Sequence, residues 1–364
     1  MDVHGLLRLS QVPGIGNARL RALISHFKSP QAVFNASARE LRNVPGIEEK
    51  TARSVLHFKD GGRYADQELR RLRESRGRII TLWDQEYPEN LKRIYDPPTH
   101  LYVLGSLKEI DKYSIAVVGT RNPTMYGKSL AERFSAELSA LGLTVVSGLA
   151  RGIDTIAHVA ALNGRTIAVI GSGIDVIYPP ENKQLAEAIT RNGAVVSEFE
   201  MGAQPDAEHF PRRNRIISGL TLGTLVVETN VDGGAMLTAR WALDQNREVF
   251  AIPGPVTDKR NVGANTLIKR GEAELVRGTE DILEQLSSKL RPLLRERTPY
   301  QPKAEPQLTL FEKKIYDALQ EEPMHIDAIA SSAATAMADT LVQLLSLEFK
   351  GLVKQLPGKL FVRV

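Results

Sequence analysis

The sequence predicts an α/β protein built on a doubly wound, Rossmann-like parallel sheet, with an N-terminal helical domain before it and a C-terminal winged-helix domain after it. Three observations predict this. From about residue 100, short apolar, β-branched runs alternate with helical stretches, the mark of a parallel sheet covered on both faces. A phrase near the start of the chain occurs twice. The last part of the chain reads as short helices followed by two strand-like runs around Pro357-Gly358.

Composition sets the outer bounds. The chain has 364 residues, 42% hydrophobic and 25% charged, as in an ordinary globular protein. No apolar run reaches the roughly 18 residues that span a bilayer, and the first residues lack the pattern of a secretory signal. The chain has no cysteine, which removes disulfides, thiolate metal sites and cysteine nucleophiles. A cytoplasmic location is expected. The net charge of +4 is uneven: residues 1–80 carry 15 Lys and Arg against 8 Asp and Glu, the remainder 32 against 35. A basic front end suits a phosphate-rich partner.

The first expected domain covers residues 1–65. Leu9-Ser-Gln-Val-Pro-Gly-Ile-Gly16 returns as Leu41-Arg-Asn-Val-Pro-Gly-Ile-Glu48, each copy followed by a helical pattern ending near His26-Phe27 or His57-Phe58. This resembles tandem helix-hairpin-helix motifs of DNA-handling proteins. The first copy keeps Gly14 and Gly16, which let a backbone approach a phosphate. The second places Glu48 and Glu49 there and reads as structural.

The second domain is expected over 66–286. It opens with a basic helix over 66–78 and a strand at Ile79–Trp83. Strands follow at Ile115–Val118, Thr144–Val146, Ile167–Ile170, Ala194–Val196, Leu225–Val227 and Val249–Ile252, separated by helices such as Ser129–Ala140, Lys183–Arg191 and Met236–Gln245. Residues 287–307 read as a basic, proline-containing linker. Residues 308–364 then supply helices at Phe311–Leu319, Ile326–Ser331 and Ala338–Phe349 and a closing hairpin. Glu321, Glu322 and Asp327 weaken the case that this last domain touches DNA.

In an open parallel sheet the ligand lies beyond the carboxyl ends of the strands. Gly119–Ser129, Ser147–Asp154, Gly171–Asp175, Glu228–Gly234 and Pro253-Gly254 all gather there. Glycine-rich loops expose N–H groups that suit anions. Three enzyme signatures fall short. Gly127-Lys128-Ser129 resembles the end of a P-loop, but Asn122 and Pro123 replace the required flexible start. Gly171-Ser-Gly173 begins a dinucleotide fingerprint that Val176 interrupts. Asp232-Gly233-Gly234 resembles a phosphoribohydrolase loop, without the following glutamate. No His, Asp or Glu cluster has metal-ligand spacing. His158 and His209 read as structural.

Phe210-Pro-Arg-Arg-Asn-Arg-Ile-Ile-Ser-Gly219 is the most informative segment. Pro211 suits the first helical position, which would put Arg212, Arg213 and Arg215 in the first turn. Cations are disfavoured there, so they ask for an anionic partner. Arg212 and Arg215, three apart, are expected to share a face. Phe210 could stack on a base. Pairing of these arginines with Glu198, Glu200 or Glu208 is the competing expectation.

Val118-Gly-Thr-Arg-Asn-Pro-Thr-Met-Tyr-Gly127, Ser147-Gly-Leu-Ala-Arg-Gly-Ile-Asp-Thr-Ile-Ala-His158, Gly171-Ser-Gly-Ile-Asp175 with Tyr178–Asn182, Phe210–Gly219, Gly234–Arg240 and Phe250–Gly254 together resemble the DNA-processing protein A (Smf) family across about residues 80–285. The resemblance implies a Rossmann-like domain that binds single-stranded DNA without catalysis, cofactor or metal, and forms a homodimer. It also implies protection of incoming strands in natural transformation and loading of the recombinase RecA while single-strand-binding protein is displaced. Position by position it implies Gly119 and Arg121 in the first loop, Ser147 and Gly148 through their backbone, Gly171, and Phe210, Arg212, Arg213, Asn214 and Arg215 of the basic motif. Arg240 lies on a matching motif, with its role open. The alternatives are a nucleotide-binding hydrolase or phosphoribohydrolase on the same sheet, and a protein-interaction scaffold.

Overall fold

The computed structural model describes residues 1–58, 61–295, 308–320 and 322–363. The chain divides into two compact units, Met1–Glu296 and Arg297–Val364.

In the first unit the repeat builds a helical bundle. Helices Val3–Ser10 and Asn17–Phe27 flank the first copy, Ala38–Arg42 and Glu49–Leu56 the second. Each turn needs its glycine: φ is +85° at Gly14 and +83° at Gly46, where a side chain would be strained. Leu9, Val12 and Ile15 pack with their counterparts Leu41, Val44 and Ile47 in one core. Arg19 ties the turns together, donating to the Gly46 carbonyl at 2.8 Å and to the Gly14 carbonyl at 2.7 Å. The basic stretch expected at 66–78 is helix Gly61–Glu74. Its Ala65 and Leu72 are buried with Leu7 of the first helix and Tyr102 of the sheet. A boundary at residue 65 therefore falls inside a helix that joins the bundle to the sheet.

Nine strands form the main sheet: β1 (Arg78–Thr81), β2 (His100–Gly105), β3 (Ser114–Val118), β4 (Thr144–Ser147), β5 (Thr166–Val169), β6 (Ala194–Ser197), β7 (Gly223–Val226), β8 (Glu248–Ala251) and β9 (Glu274–Leu275). Their order is β1-β2-β6-β5-β4-β3-β7-β8-β9. The six central strands read from the sequence are β3 to β8, and β6 through β9 run parallel. The sheet is mixed, however: β2 runs antiparallel to β6, with Val103 opposite Val196, and β1 antiparallel to β2.

Alternate strand residues face opposite layers, as the period of two requires. Ile115, Val117, Val145 and Leu225 pack under helix Met125–Ala140, through Ala131, Phe134 and Leu138, and helix Ile153–Ala160, through Ile153 and Ala157. Ala116, Val118, Val146 and Val226 pack under helix His209–Leu220, through Ile216 and Ile217, and helix Gly234–Asp244, through Met236 and Ala239. Helices following β3 and β7 thus lie on opposite faces. Between these neighbouring strands the winding reverses, leaving a crevice at their carboxyl ends.

The expected linker starts later than residue 287. Ser287–Arg295 is a helix whose Leu290 and Leu293 are buried in the sheet's core beside Leu286. That apolar stripe outweighs the local basic character. The rest of the expected linker, 296–307, lies outside the described residues.

The second unit contains helices Leu310–Ala318, Ile326–Ser332 and Met337–Phe349 and a sheet of β10 (Met324–His325), β11 (Val353–Leu356) and β12 (Leu360–Arg363), ordered β10-β12-β11. Three helices and a terminal hairpin make a winged helix. Ile315, Ile329, Leu344, Leu347 and Phe361 form its core. Among the described residues no single helix is long and apolar enough to cross a membrane.

Candidate functional site

The crevice between β3 and β7 is a cleft of about 300 Å³. Its walls are the loop Gly119–Arg121, Ala150, one side of helix His209–Leu220 through Phe210, Arg213 and Asn214, and the loop Thr229–Gly234. A smaller hollow beside it is lined by Arg121, Gly148, Arg151, Gly171, Tyr178 and Phe210. Arg121 and Phe210 belong to both.

Arg121 is exposed, with its guanidinium 5.6 Å from the Phe210 ring centre. The Tyr178 ring lies 6.3 Å from Phe210, tilted by 46°. Gly171 lets the Phe210 ring close in, since a Cβ there would stand 3.2 Å from ring carbon Cδ1. Gly152 fixes the first loop from behind: its φ is +78°, and a Cβ would sit 2.4 Å from the Thr120 carbonyl oxygen. Arg212 is also exposed, 5.3 Å from the Phe199 ring centre, and Phe199 stacks on His209 at 3.9 Å. A cation and an aromatic ring thus meet at the cleft mouth.

The basic motif does not act as one set. Helix His209–Leu220 starts two residues before Pro211, so Pro211 is its third residue and the arginines follow beyond the position expected for them. The helix lies against the sheet and helix Gly234–Asp244, so 211 and 212 face solvent while 213–220 are buried. Arg213, 5% exposed, donates to the Gly148 carbonyl at 2.5 Å and to the Val169 carbonyl. Burial pushes its guanidinium down to about 10, against the attraction of Asp154. Asp154 is raised by burial, opposed by Arg213, and accepts from the Gly148 and Ala150 amides at 3.2 and 3.3 Å. Arg215 points inward to Glu198 and donates to the Asp96 carbonyl at 2.7 Å. Burial raises Glu198, with Arg215 as the largest opposing influence. Arg212 and Arg215 do not share an exposed face. The pairing with Glu198 that competed in the sequence holds for Arg215.

The remaining expected residues divide similarly. Asn214 lines the cleft, its amide 3.3 Å from the Gly234 carbonyl. Gly119 and Gly171 line the cleft and the hollow. Ser147 is fully buried and donates to the Val117 carbonyl at 2.6 Å, so its hydroxyl is committed to the sheet. Gly148 lines the hollow, but its N–H and carbonyl are engaged by Asp154 and Arg213. Arg240 is exposed on helix Gly234–Asp244. His158 is buried against Thr166 at 2.6 Å, and burial followed by the Arg213 charge pushes it down to about 3.

Glu228 was not singled out in the sequence. It follows β7, is fully buried, and accepts from the Thr124 amide at 2.9 Å and from the Thr124 hydroxyl at 2.5 Å. Its carboxylate lies so near Gly127 that a Cβ there would be 2.3 Å from Oε2. The first turn of helix Met125–Ala140, where a mononucleotide-binding sheet would receive a phosphate, is therefore filled by the protein's own anion. Only the fold brings residue 228 to residue 124, so local pattern carried no signal of it.

Comparison with known proteins identifies the family of the sheet domain and of the domains that flank it. The family profile described as DNA recombination-mediator protein A matches residues 78–287. The chain belongs to this family. The profile of the DprA winged helix domain matches residues 299–359, and that of the SAM-like helix-hairpin-helix tandem residues 6–57. Protein Smf of Synechocystis is 36% identical over 390 aligned residues, covering 98% of each chain. Protein Smf of Escherichia coli is also 36% identical, over 98% of this chain and 95% of its own. Among solved structures, DNA processing protein A of Streptococcus pneumoniae shares 33% identity at a TM-score of 0.68, covering 78% of this chain and 98% of its own. The family member from Helicobacter pylori, whose structure concerned its single-stranded DNA binding mode, shares 30% identity at 0.54, covering 59% and 98%.

Proposed function

We propose that this chain binds single-stranded DNA without regard to sequence and without chemical turnover, in DNA processing during transformation and recombination. The observation that carries the reading is the exposed Arg121 beside the Phe210 ring at the mouth of the β3–β7 cleft. A guanidinium suits a phosphate and an aromatic face suits an unstacked base, the pairing that single-strand grooves use. Of the residues expected at the interface, Arg121, Phe210 and Arg212 make the direct contacts, with Gly119, Gly171 and Asn214 shaping the cleft. Arg213, Arg215, Ser147 and Gly148 hold the scaffold. The Helicobacter pylori relative's single-stranded DNA binding supports the assignment. Protection of the strand, loading of RecA with displacement of single-strand-binding protein, a homodimeric state and a cytoplasmic location complete the proposal.

The alternative of a nucleotide hydrolase or phosphoribohydrolase finds little support, because Glu228 fills the helix terminus that would receive a phosphate. Titration of the full chain with single- and double-stranded oligonucleotides tests the proposal. Tighter single-strand binding is expected, weakening by about 0.7 log units per log unit of salt for each phosphate neutralised. Arg121→Ala combined with Arg212→Ala is expected to remove nearly all binding while leaving the thermal melt unchanged. Equal binding by parent and variant would refute the site. Release of base or phosphate from nucleotides by the purified chain would favour the enzyme.

A further inference from the structure

Beyond the Phe210 side of the cleft, a second depression of about 540 Å³ opens on the other side of the first loop. Arg121 and Arg151 line both this groove and the hollow beside Phe210, so the two surfaces are continuous. Lys128 and Arg260 lie farther along it. Lys128 is exposed in the first turn of helix Met125–Ala140, and Arg260 in the 3₁₀ turn Lys259–Asn261 that leads into helix Val262–Lys269. Glu228 already fills the end of the first of these helices and Asp258 caps the 3₁₀ turn, so the groove's attraction for an anion rests on its exposed cations and not on the helix ends.

The charge balance is positive. Among the described residues neither Arg121 nor Lys128 has a carboxylate partner. Arg151 pairs with Glu181 at 2.5 Å and Arg260 with Asp258 at 2.7 Å, and three of these four partners are more than 45% exposed. Exposed pairs of this kind are weak and readily exchange their carboxylate for a phosphate. Aromatic rings are missing from the lining, unlike the cleft, so the chemistry is that of backbone phosphates and not of bases.

We infer that this groove continues the strand path: Arg121 and Arg151 pass the backbone from the Phe210 cleft to Lys128 and Arg260, which hold phosphates farther along the same strand. The inference rests on the proposed function and extends it to a longer footprint with a stacking half and an electrostatic half.

The test compares the full chain with the Lys128→Ala, Arg260→Ala double variant on two probes, (dT)6 and (dT)20. Both positions are exposed, so the melt should not change. Binding of (dT)20 is expected to weaken roughly 20-fold at 0.1 M salt, with a salt slope smaller by about 1.4, the value for two lost phosphate contacts. Binding of (dT)6, held in the cleft, should change little. If both probes lose affinity equally, or neither does, the extended path is wrong while single-strand binding stands. A parent chain that binds neither probe overturns both readings.

Discussion

Arg213 and Arg215 show how neighbouring residues of one type can have opposite tasks from Arg212. Arg215 and Glu198 are both nearly sealed from water, at 8% and 3% side-chain exposure. A buried pair of this kind contributes little relative to an apolar pair, yet losing one partner strands the other charge. Arg215→Met alone is therefore expected to cost about 3–5 kcal/mol in denaturant unfolding. Arg215→Met combined with Glu198→Leu should recover most of that loss and bind single strands like the parent. A single variant as stable as the parent would show that the pair is not structural. The arginine cluster was legible as an anomaly, but its division was not, because sequence spacing does not reveal which neighbours cover a helix.

The elements that matter most are the loops at the carboxyl ends of β3, β4 and β7. Their glycines were visible in the sequence, and at Gly152 the reason is specific. With φ at +78° and the Thr120 and Arg121 backbone against its α-carbon, any side chain would push the first loop away. Gly152→Ala is expected to cost about 1–3 kcal/mol from backbone strain and to weaken strand binding by displacing Arg121. A variant that loses stability and keeps full affinity would separate the loop from the site. β2 escaped notice because it follows Pro97-Pro98 and pairs antiparallel with β6, a distant strand. Helix Ser287–Arg295 escaped because basic residues and Pro292 resemble a linker until Leu290 and Leu293 are seen in the core.

Across the whole molecule the cationic and aromatic features proposed to meet DNA belong to the first unit. In the second, helix Met337–Phe349 contains no lysine or arginine, carries Asp339 and Glu348, and exposes Met337, Leu341, Val342 and Leu345. A helix that reads DNA needs cationic or hydrogen-bonding side chains on that face. Deleting residues 297–364 is expected to leave the affinity and salt slope for single strands unchanged in the same titration. A marked loss of affinity would give the winged helix a direct share in binding.

The sequence by itself determined the alternation of strands and helices, the repeated hairpins, the glycine loops and the family, because these reside in local pattern and short-range turn geometry. Tertiary structure alone decided which arginines face water, that Glu228 would fill an anion-binding helix end, and that the sheet would gain an antiparallel edge. Those outcomes depend on contacts between residues tens to more than a hundred positions apart. Burial and pairing are set by what the fold brings together, and neither is written in the spacing of a single segment.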